Sequence, residues 1–185
     1  GGNQDPPTGT RLFWGILGVC LAAGLLTVLA LPLVLPGQEE QPPIVINEVL
    51  ANSDAAPGLD WIELYNPGPI AVDLSNVYLS DDPADLLKYK IPSGIVLAPG
   101  QFWAVSEGTP PEGFSFRLNF AGETICVTAA SGDPAQPLRV LDALPCDTTP
   151  PNVTFGRFPD GSDRIGLLAS ATFGTANAQE FNSDI

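Results

Sequence analysis

The chain has 185 residues, a formal net charge of −14 and no histidine. A surface this acidic repels phosphate backbones and anionic lipid headgroups, which argues against nucleic acid as a partner and against adhesion to a lipid surface. The lack of histidine removes the commonest general base near neutral pH and the commonest zinc ligand. Composition therefore argues against nucleic-acid-binding proteins and against most hydrolases and metalloenzymes.

An uncharged apolar segment from Leu12 to Leu35 is the first predicted element. A helix over residues 12–31 is about 30 Å long at 1.5 Å per residue, which matches the hydrocarbon core of a bilayer. We predict one transmembrane helix within 12–35, preceded by a short cytoplasmic peptide at 1–11. The alternative is a cleaved signal peptide, with Val28 and Ala30 before the cleavage site.

The charges beside this segment predict its orientation in the membrane. Arg11 precedes the segment, and the next basic residue along the chain is Lys88. Positive charge is retained on the cytoplasmic side of membrane helices, so the N-terminus is expected in the cytoplasm. The sequence therefore predicts a single-pass protein of the bacterial cytoplasmic membrane whose main domain is extracytoplasmic.

Three small residues lie along one side of the predicted helix. Gly15, Gly18 and Ala22 occupy positions i, i+3 and i+7. Small side chains let a second helix approach closely, so these three are candidate helix-packing residues. The alternative is that glycine and alanine are simply common in membrane helices.

A proline-rich tether at 36–43 leads to a series of short strand-forming runs. The tether favours extended polyproline conformations with a rise of about 3 Å per residue. The runs, separated by turn signals, lie at Ile44–Leu50, Trp61–Tyr65, Asn76–Ser80, Lys88–Ile91, Gln101–Ser106, Phe114–Phe120, Thr124–Thr128 and Leu138–Ala143. About eight short strands at this spacing predict an all-β fold, an antiparallel β-sandwich.

Six sequence blocks carry a resemblance to a known family. They are IVINEVLANS at 44–53, DWIELYNPG at 60–68, VDLSNVYLSDD at 72–82, IPSGIVLAPGQFWAV at 91–105, FRLNFAGETICV at 116–127 and FGRFPDGSD at 155–163. Their order and spacing resemble the lamin-tail domain, which occurs at the end of nuclear lamins and in many bacterial surface proteins. The resemblance implies an immunoglobulin-like antiparallel β-sandwich over 44–177, followed by a C-terminal tail at 178–185.

Two acidic residues in neighbouring predicted strands invite a catalytic interpretation. Glu48 and Glu63 could form the carboxylate pair that glycoside hydrolysis needs. The family resemblance implies no such chemistry, and we expect both acids to bind backbone amides or nearby lysine and arginine side chains. Further along the chain, Arg157 is expected to brace the Pro-Asp-Gly turn through a charge-assisted contact with Asp160.

Acidic loops and cysteines are the remaining candidate sites. The loop acids are Asp81, Asp82, Asp85, Asp160 and Asp163. Calcium binds such oxygens, but neither loop has the spacing of an EF-hand, so we interpret them as solvated turn residues. Cys126, in a predicted strand, and Cys146, in the loop after Pro145, form a candidate disulfide because an extracytoplasmic location permits oxidation.

The predicted function is that of a non-catalytic, membrane-anchored interaction or structural module of the bacterial cell envelope. We predict no catalytic, cofactor-binding or metal-binding residues, no cofactor and no small-molecule substrate. The expected partners are proteins of the membrane or envelope, together with the lipid bilayer around the N-terminal helix. One alternative is an accessory single-helix subunit of a large respiratory or photosynthetic membrane complex. A second is a hydrolase of the envelope, which the lack of histidine disfavours.

Overall fold

The computed structural model describes residues 44–54, 59–133 and 135–178. These residues form eleven β-strands and no helix. Within the same ranges, no helix has the length and apolar character needed to cross a membrane. The predicted cytoplasmic peptide at 1–11, transmembrane helix at 12–35, tether at 36–43 and nearly all of the tail at 178–185 lie outside the described residues.

The strands form three antiparallel sheets. Their bounds are β1 Val45–Leu50, β2 Trp61–Tyr65, β3 Val72–Asp73, β4 Val77–Ser80, β5 Tyr89–Lys90, β6 Val96–Leu97, β7 Phe102–Ser106, β8 Glu123–Ala129, β9 Arg139–Cys146, β10 Phe155–Arg157 and β11 Ile165–Leu167. A five-stranded sheet has the order β11, β10, β1, β2, β7, a four-stranded sheet has the order β5, β4, β8, β9, and β3 pairs with β6. Because β1 contacts both β8 and β9, the two larger sheets face each other, and the predicted antiparallel sandwich is confirmed.

Side-chain alternation along β2 shows how the core is built. Ile62 and Leu64 are fully buried in the core, whereas Trp61, Glu63 and Tyr65 lie on the opposite face of the sheet. The four-stranded sheet contributes the facing apolar side chains, which include Val77, Leu79, Ile125, Val127 and Leu144. Removing apolar surface from water contributes about 25 cal/mol per Å², so this layer is the main source of stability.

A β-bulge interrupts the alternation in β1. The pairing of β1 with β2 shifts between Ile46 and Glu48, which makes Asn47 the extra residue. Residues three apart normally face opposite sides of a strand, yet Ile46 and Val49 both enter the core. The bulge also places Glu48 directly opposite Glu63, on the face away from the core. It explains why the sequence from 44 to 50 has no clean amphipathic pattern.

A buried asparagine connects the end of β2 to the small sheet. The Nδ2 group of Asn66 donates hydrogen bonds of 2.8 Å to the carbonyls of Ile70 and Leu97. Its Oδ1 atom accepts a 2.9 Å hydrogen bond from the amide of Gly68. The Asn-Pro-Gly turn expected after β2 is therefore an Asx turn whose side chain also fixes β6.

The predicted strand at Phe114–Phe120 is wrong. Phe114 makes only an isolated bridge with Glu107, and the following residues form no strand. Phe114 and Leu118 are nevertheless buried in the core, and Phe116 packs against it. The alternating sequence pattern here reflects side chains that are alternately buried and exposed, in a segment whose backbone does not pair with a strand. The short strands β3, β6, β10 and β11 were not predicted.

We expect Gly156→Ala to destabilise the protein strongly. Gly156 lies on β10 opposite Glu48, and a Cβ atom there would overlap the backbone oxygen of Asn47 and come within 3.0 Å of Glu48 Cα. Overpacking against immobile backbone should lower the free energy of unfolding by about 3 kcal/mol. Chemical denaturation of the full chain in detergent measures this loss.

Gly108→Ala is the matched control for this substitution. The nearest atom to a Cβ at that position is Gly113 Cα at 3.3 Å, and the backbone there needs only a slight adjustment. We expect a loss below about 1 kcal/mol. Equal destabilisation by the two variants would contradict the proposed close approach of β10 to the bulge.

Candidate functional site

The main polar cluster lies on the face of the five-stranded sheet that points away from the core. Glu48 on β1 and Glu63 on β2 are neighbours across the strands, and the exposed fraction of each is 0%. Residues 172–177, here called the C-terminal strap, bind to both carboxylates. The cluster is therefore enclosed between the sheet and the last described segment of the chain.

All four carboxylate oxygens accept hydrogen bonds from the protein. Glu48 Oε1 accepts from Thr154 Oγ1 at 2.5 Å, and Glu48 Oε2 accepts from the amide of Thr172 at 3.2 Å. Glu48 Oε2 also lies 2.6 Å from Thr172 Oγ1. Glu63 accepts from Asn47 Nδ2 at 3.0 Å and from the amide of Gly174 at 2.7 Å.

A third carboxylate, Asp160, completes the attachment of the strap. Asp160 Oδ1 accepts from Asn47 Nδ2 at 2.9 Å and from the amide of Asn177 at 3.0 Å. The other side-chain atom of Asn47, Oδ1, accepts a 3.1 Å hydrogen bond from the amide of Gly161. The bulge residue thus connects β2, the turn between β10 and β11, and the strap in a single network.

Burial dominates the electrostatics of this cluster. It raises the pKa of Glu63 to about 8, against the opposing effect of the hydrogen bond from Asn47. Burial also raises the pKa of Glu48, although hydrogen bonds from Thr154 and from the amide of Thr172 act in the opposite direction. The negative charge of Asp160 adds to both increases. The pair therefore retains a proton near neutral pH.

The structure brings Glu48 and Glu63 together, but in a form that suits structure more than catalysis. A hydrolytic carboxylate pair must reach a substrate and a water molecule, whereas these oxygens are enclosed and bound by donors of the chain itself. The predicted binding of backbone amides is observed at Thr172 and Gly174. Hydroxyl and side-chain amide groups occupy the positions where lysine or arginine was expected.

The predicted pairing of Arg157 with Asp160 is wrong, because Arg157 pairs with Asp142 on β9. Arg157 does brace the Pro-Asp-Gly turn, however, by donating from Nη1 to the carbonyl of Ser162 at 2.7 Å. Its Nη2 atom lies 2.9 Å and 3.1 Å from the two carboxylate oxygens of Asp142. Arg157 Nε donates to the carbonyl of Ile46 at 2.9 Å, and the amide of Ile46 donates to Asp142 at 2.8 Å. The ion pair thus satisfies both backbone groups of Ile46 beside the bulge and joins the two large sheets.

The predicted disulfide between Cys126 and Cys146 is not formed, and both cysteines are free and buried. In the pairing of β8 with β9, Cys126 lies opposite Ala143 and Cys146 lies opposite Glu123. The two positions differ by three residues, which is about 10 Å along a strand and places the side chains on opposite faces. A disulfide requires Cα atoms within about 7 Å, so this register keeps the thiols apart.

The acidic loops have different partners. In the first loop, Asp81 and Asp82 lie 2.6 Å and 3.8 Å from Lys88 Nζ. In the second, Asp160 belongs to the buried cluster described above. Across the described residues, no set of three or more histidine, cysteine, aspartate or glutamate side chains is arranged to hold a metal ion.

Several residues of the cluster were missed from the sequence. Thr154, Thr172 and Asn177 lie in segments without a strand or turn pattern, and nothing local marks them. Asn47 carries the one available signal. An asparagine within a buried apolar strand must find hydrogen-bond partners, and such partners imply a network around it.

Two surface grooves complete the candidate sites. One has a volume of about 640 Å³ and is lined by Asn52, Phe120, Asp147, Thr148, Thr149, Pro150, Pro151 and Leu167. The other has a volume of about 400 Å³ and is lined by Lys88, Tyr89, Lys90, Ile91, Ser93, Pro110 and Pro111. The predicted helix-packing residues Gly15, Gly18 and Ala22 lie outside the described residues.

Fold and cluster together define an immunoglobulin-like β-sandwich with an internally bonded polar face. A family model described as Lamin Tail Domain matches residues 38–172, which is well over half of the chain. The chain therefore belongs to the lamin tail domain family, an immunoglobulin-like, non-enzymatic domain that generally serves interaction or structure. No curated protein matches the sequence.

We expect Arg157→Met to be strongly destabilising, because it leaves Asp142 without its partner and the carbonyl of Ile46 without its donor. Removing one member of a buried ion pair costs about 3 to 5 kcal/mol. Lys88→Met is the control, since its ion pair with Asp81 is partly exposed and should contribute less than about 1 kcal/mol. Chemical denaturation compares the two, and similar losses would contradict a special role for Arg157.

Proposed function

We propose that this protein is a membrane-anchored interaction module of the bacterial cell envelope, with the lamin tail domain on the extracytoplasmic side. The observation that carries the proposal is the larger groove, where Phe120 is 53% exposed and lies near the edge strand β11. An exposed aromatic side chain in a groove is a typical anchor position for a protein partner. The groove serves binding, while the carboxylate cluster serves the fold.

The groove lies next to a strand that can accept a partner. Leu167 lines the groove and belongs to β11, which ends the five-stranded sheet. An edge strand offers backbone donors and acceptors to an added peptide strand, and the adjoining pocket selects its side chains. Phe120 and Leu167 supply apolar contact, and Asn52 and Asp147 supply polar groups at the rim. We infer that the partner is a protein segment with at least one apolar anchor.

The charge of the chain favours a basic partner. The net charge is −14, and before residue 37 only Asp5 and Arg11 are charged, so the rest of the chain carries the same excess. An acidic domain attracts basic protein surfaces and is repelled by anionic lipid headgroups. Such a domain associates with proteins and does not adhere to the lipid surface.

Sequence alone supports the membrane anchor. The uncharged segment at 12–35 has the length and composition of a single transmembrane helix, and Arg11 precedes it. The tether at 36–43 then keeps the domain close to the membrane. Labelling an introduced cysteine, Glu112→Cys, with a membrane-impermeant maleimide on intact spheroplasts tests this orientation. Labelling only after permeabilisation would refute it.

A second candidate function is that of an accessory subunit of a large membrane complex. Gly15, Gly18 and Ala22 form the small-residue side of the predicted helix. Such a side permits close packing against a helix of the complex. In that arrangement the helix would sit within the membrane assembly and the sandwich would bind an extracytoplasmic part of it.

Phe120→Ser is expected to weaken partner binding without unfolding the domain, because the ring is half exposed. We expect co-purification of the partner from native membranes to fall at least about tenfold, as for loss of an aromatic anchor. Ile70→Ser, which changes an exposed apolar residue outside the groove, is the matched control. Equal recovery of partners with both variants would contradict the assignment of the groove.

Gly18→Leu tests the subunit alternative. A leucine at this position blocks close helix approach, so the size of the detergent-solubilised assembly should fall toward that of the free protein. Gly24→Leu places the same side chain on the opposite side of the predicted helix and should leave the assembly intact. If wild type and both variants migrate as the same free monomer, the subunit alternative is refuted.

A further inference from the structure

In the C-terminal strap, one hydroxyl group lies within hydrogen-bond distance of two acceptor oxygens. Thr172 Oγ1 lies 2.6 Å from Glu48 Oε2 and 2.7 Å from Asn177 Oδ1. A hydroxyl group carries one hydrogen, and neither a carboxylate oxygen nor an amide oxygen carries any. Two short oxygen contacts therefore need two hydrogens, of which Thr172 supplies one.

The orientation of Asn177 excludes a simple exchange of its amide atoms. Asn177 Nδ2 donates a 2.7 Å hydrogen bond to the carbonyl of Arg157. If the amide were flipped, its oxygen would face that carbonyl oxygen, and no hydrogen would lie between them. Oδ1 therefore faces Thr172 and accepts a hydrogen bond from its hydroxyl group.

The second hydrogen then belongs to Glu48. A protonated Glu48 donates through Oε2 to Thr172 Oγ1, and Thr172 donates onward to Asn177. The other carboxyl oxygen, Oε1, still accepts from Thr154. This assignment satisfies every contact around the group, which an ionised Glu48 does not.

The surroundings of Glu48 favour the neutral form. Glu63 faces it from β2, and Asp160 faces it from the turn between β10 and β11. The adjacent register positions on β10 and β7 are Gly156, opposite Glu48, and Ala104, opposite Glu63. The strap, with sequence TFGTAN, has no titratable side chain. Burial beside two further carboxyl groups raises the pKa of Glu48.

We propose that residues 172–177 form a proton-locked strap, which is closed while Glu48 donates its hydrogen to Thr172 and opens when that hydrogen is lost. Opening uncovers the faces of β1 and β2 that lie beneath it. Trp61 is the largest side chain on these faces. In the closed state its ring packs edge to face against Phe173 of the strap, with the ring centroids 5.3 Å apart. The released state thus presents an aromatic surface that the closed state covers.

The direction of the pH effect follows from the raised pKa. The hydrogen is fully present in the closed state below the ordinary carboxyl pKa, and its contribution is lost as the pH rises through the folded-state value. The strap is therefore expected to open as the pH rises through the raised pKa of Glu48, and burial in the same site raises the pKa of Glu63 to about 8. The strap should therefore open on alkalinisation and close on acidification.

Hydrogen exchange followed by mass spectrometry on the full chain in detergent measures the opening. After correction for the intrinsic pH dependence of exchange, protection of peptides covering 172–177 should fall at least about tenfold from about pH 6 to about pH 9. Peptides covering β8 should keep their protection. In Glu48→Gln the side-chain amide donates to Thr172 Oγ1 at every pH and only the long 3.2 Å hydrogen bond from the Thr172 amide is lost, so strap protection should no longer depend on pH.

Two further variants keep the test decisive. Thr172→Val removes the hydroxyl that relays the hydrogen bond and should expose the strap at both pH values while β8 stays protected. Thr175→Val, which changes an exposed hydroxyl of the same strap, should behave like wild type. The proposal is overturned if wild-type protection is constant over this range, if Glu48→Gln shows the same fall, or if Thr172→Val exchanges like wild type.

Discussion

The one-residue bulge at Asn47 is the constraint on which the rest of the structure depends. By inserting one residue between Ile46 and Glu48, it keeps both Ile46 and Val49 in the core and turns Glu48 toward the other face. A regular strand would have sent one of the two apolar residues to the opposite face. The bulge thus makes a continuous core compatible with a buried carboxylate, Glu48, on the other face of the same strand.

The same bulge determines the polar contacts on both sides of β1. The backbone groups of Ile46 bind Arg157 and Asp142, which connects β1 to the opposite sheet. The side chain of Asn47 binds Glu63 and Asp160 on the other face. Each buried polar group introduced by the irregularity therefore has a partner, and an unpaired one would cost about 1 to 3 kcal/mol. Core, inter-sheet ion pair and strap attachment form one connected unit.

Local patterns predicted most of the longer strands well, but they missed four short strands and predicted the contacts between distant segments poorly. Trp61–Tyr65 was predicted with its observed bounds, because its alternation is regular and its turn is marked by Asn-Pro-Gly. The alternation of apolar residues at Phe114–Phe120 led to a wrong strand prediction. Side chains there alternate between buried and exposed with the period of two that a paired strand also has, but the backbone is not paired. Arg157 was paired with the nearest acid in the sequence, whereas its partner is 15 residues away on another strand. Register, which no single sequence displays, decided both this pair and the separation of the cysteines.

The position of the first strand has a mechanical consequence. Chain that precedes residue 44 enters the domain at β1, which lies inside the sheet with β10 on one side and β2 on the other. A pull along β1 loads the hydrogen bonds to both neighbours together in shear, whereas a pull across the strands would separate them one at a time. The bulge, together with the hydrogen bonds between the backbone of Ile46 and the Arg157–Asp142 ion pair, opposes sliding of β1 along its neighbours. The domain is therefore built to resist tension transmitted from its N-terminal side.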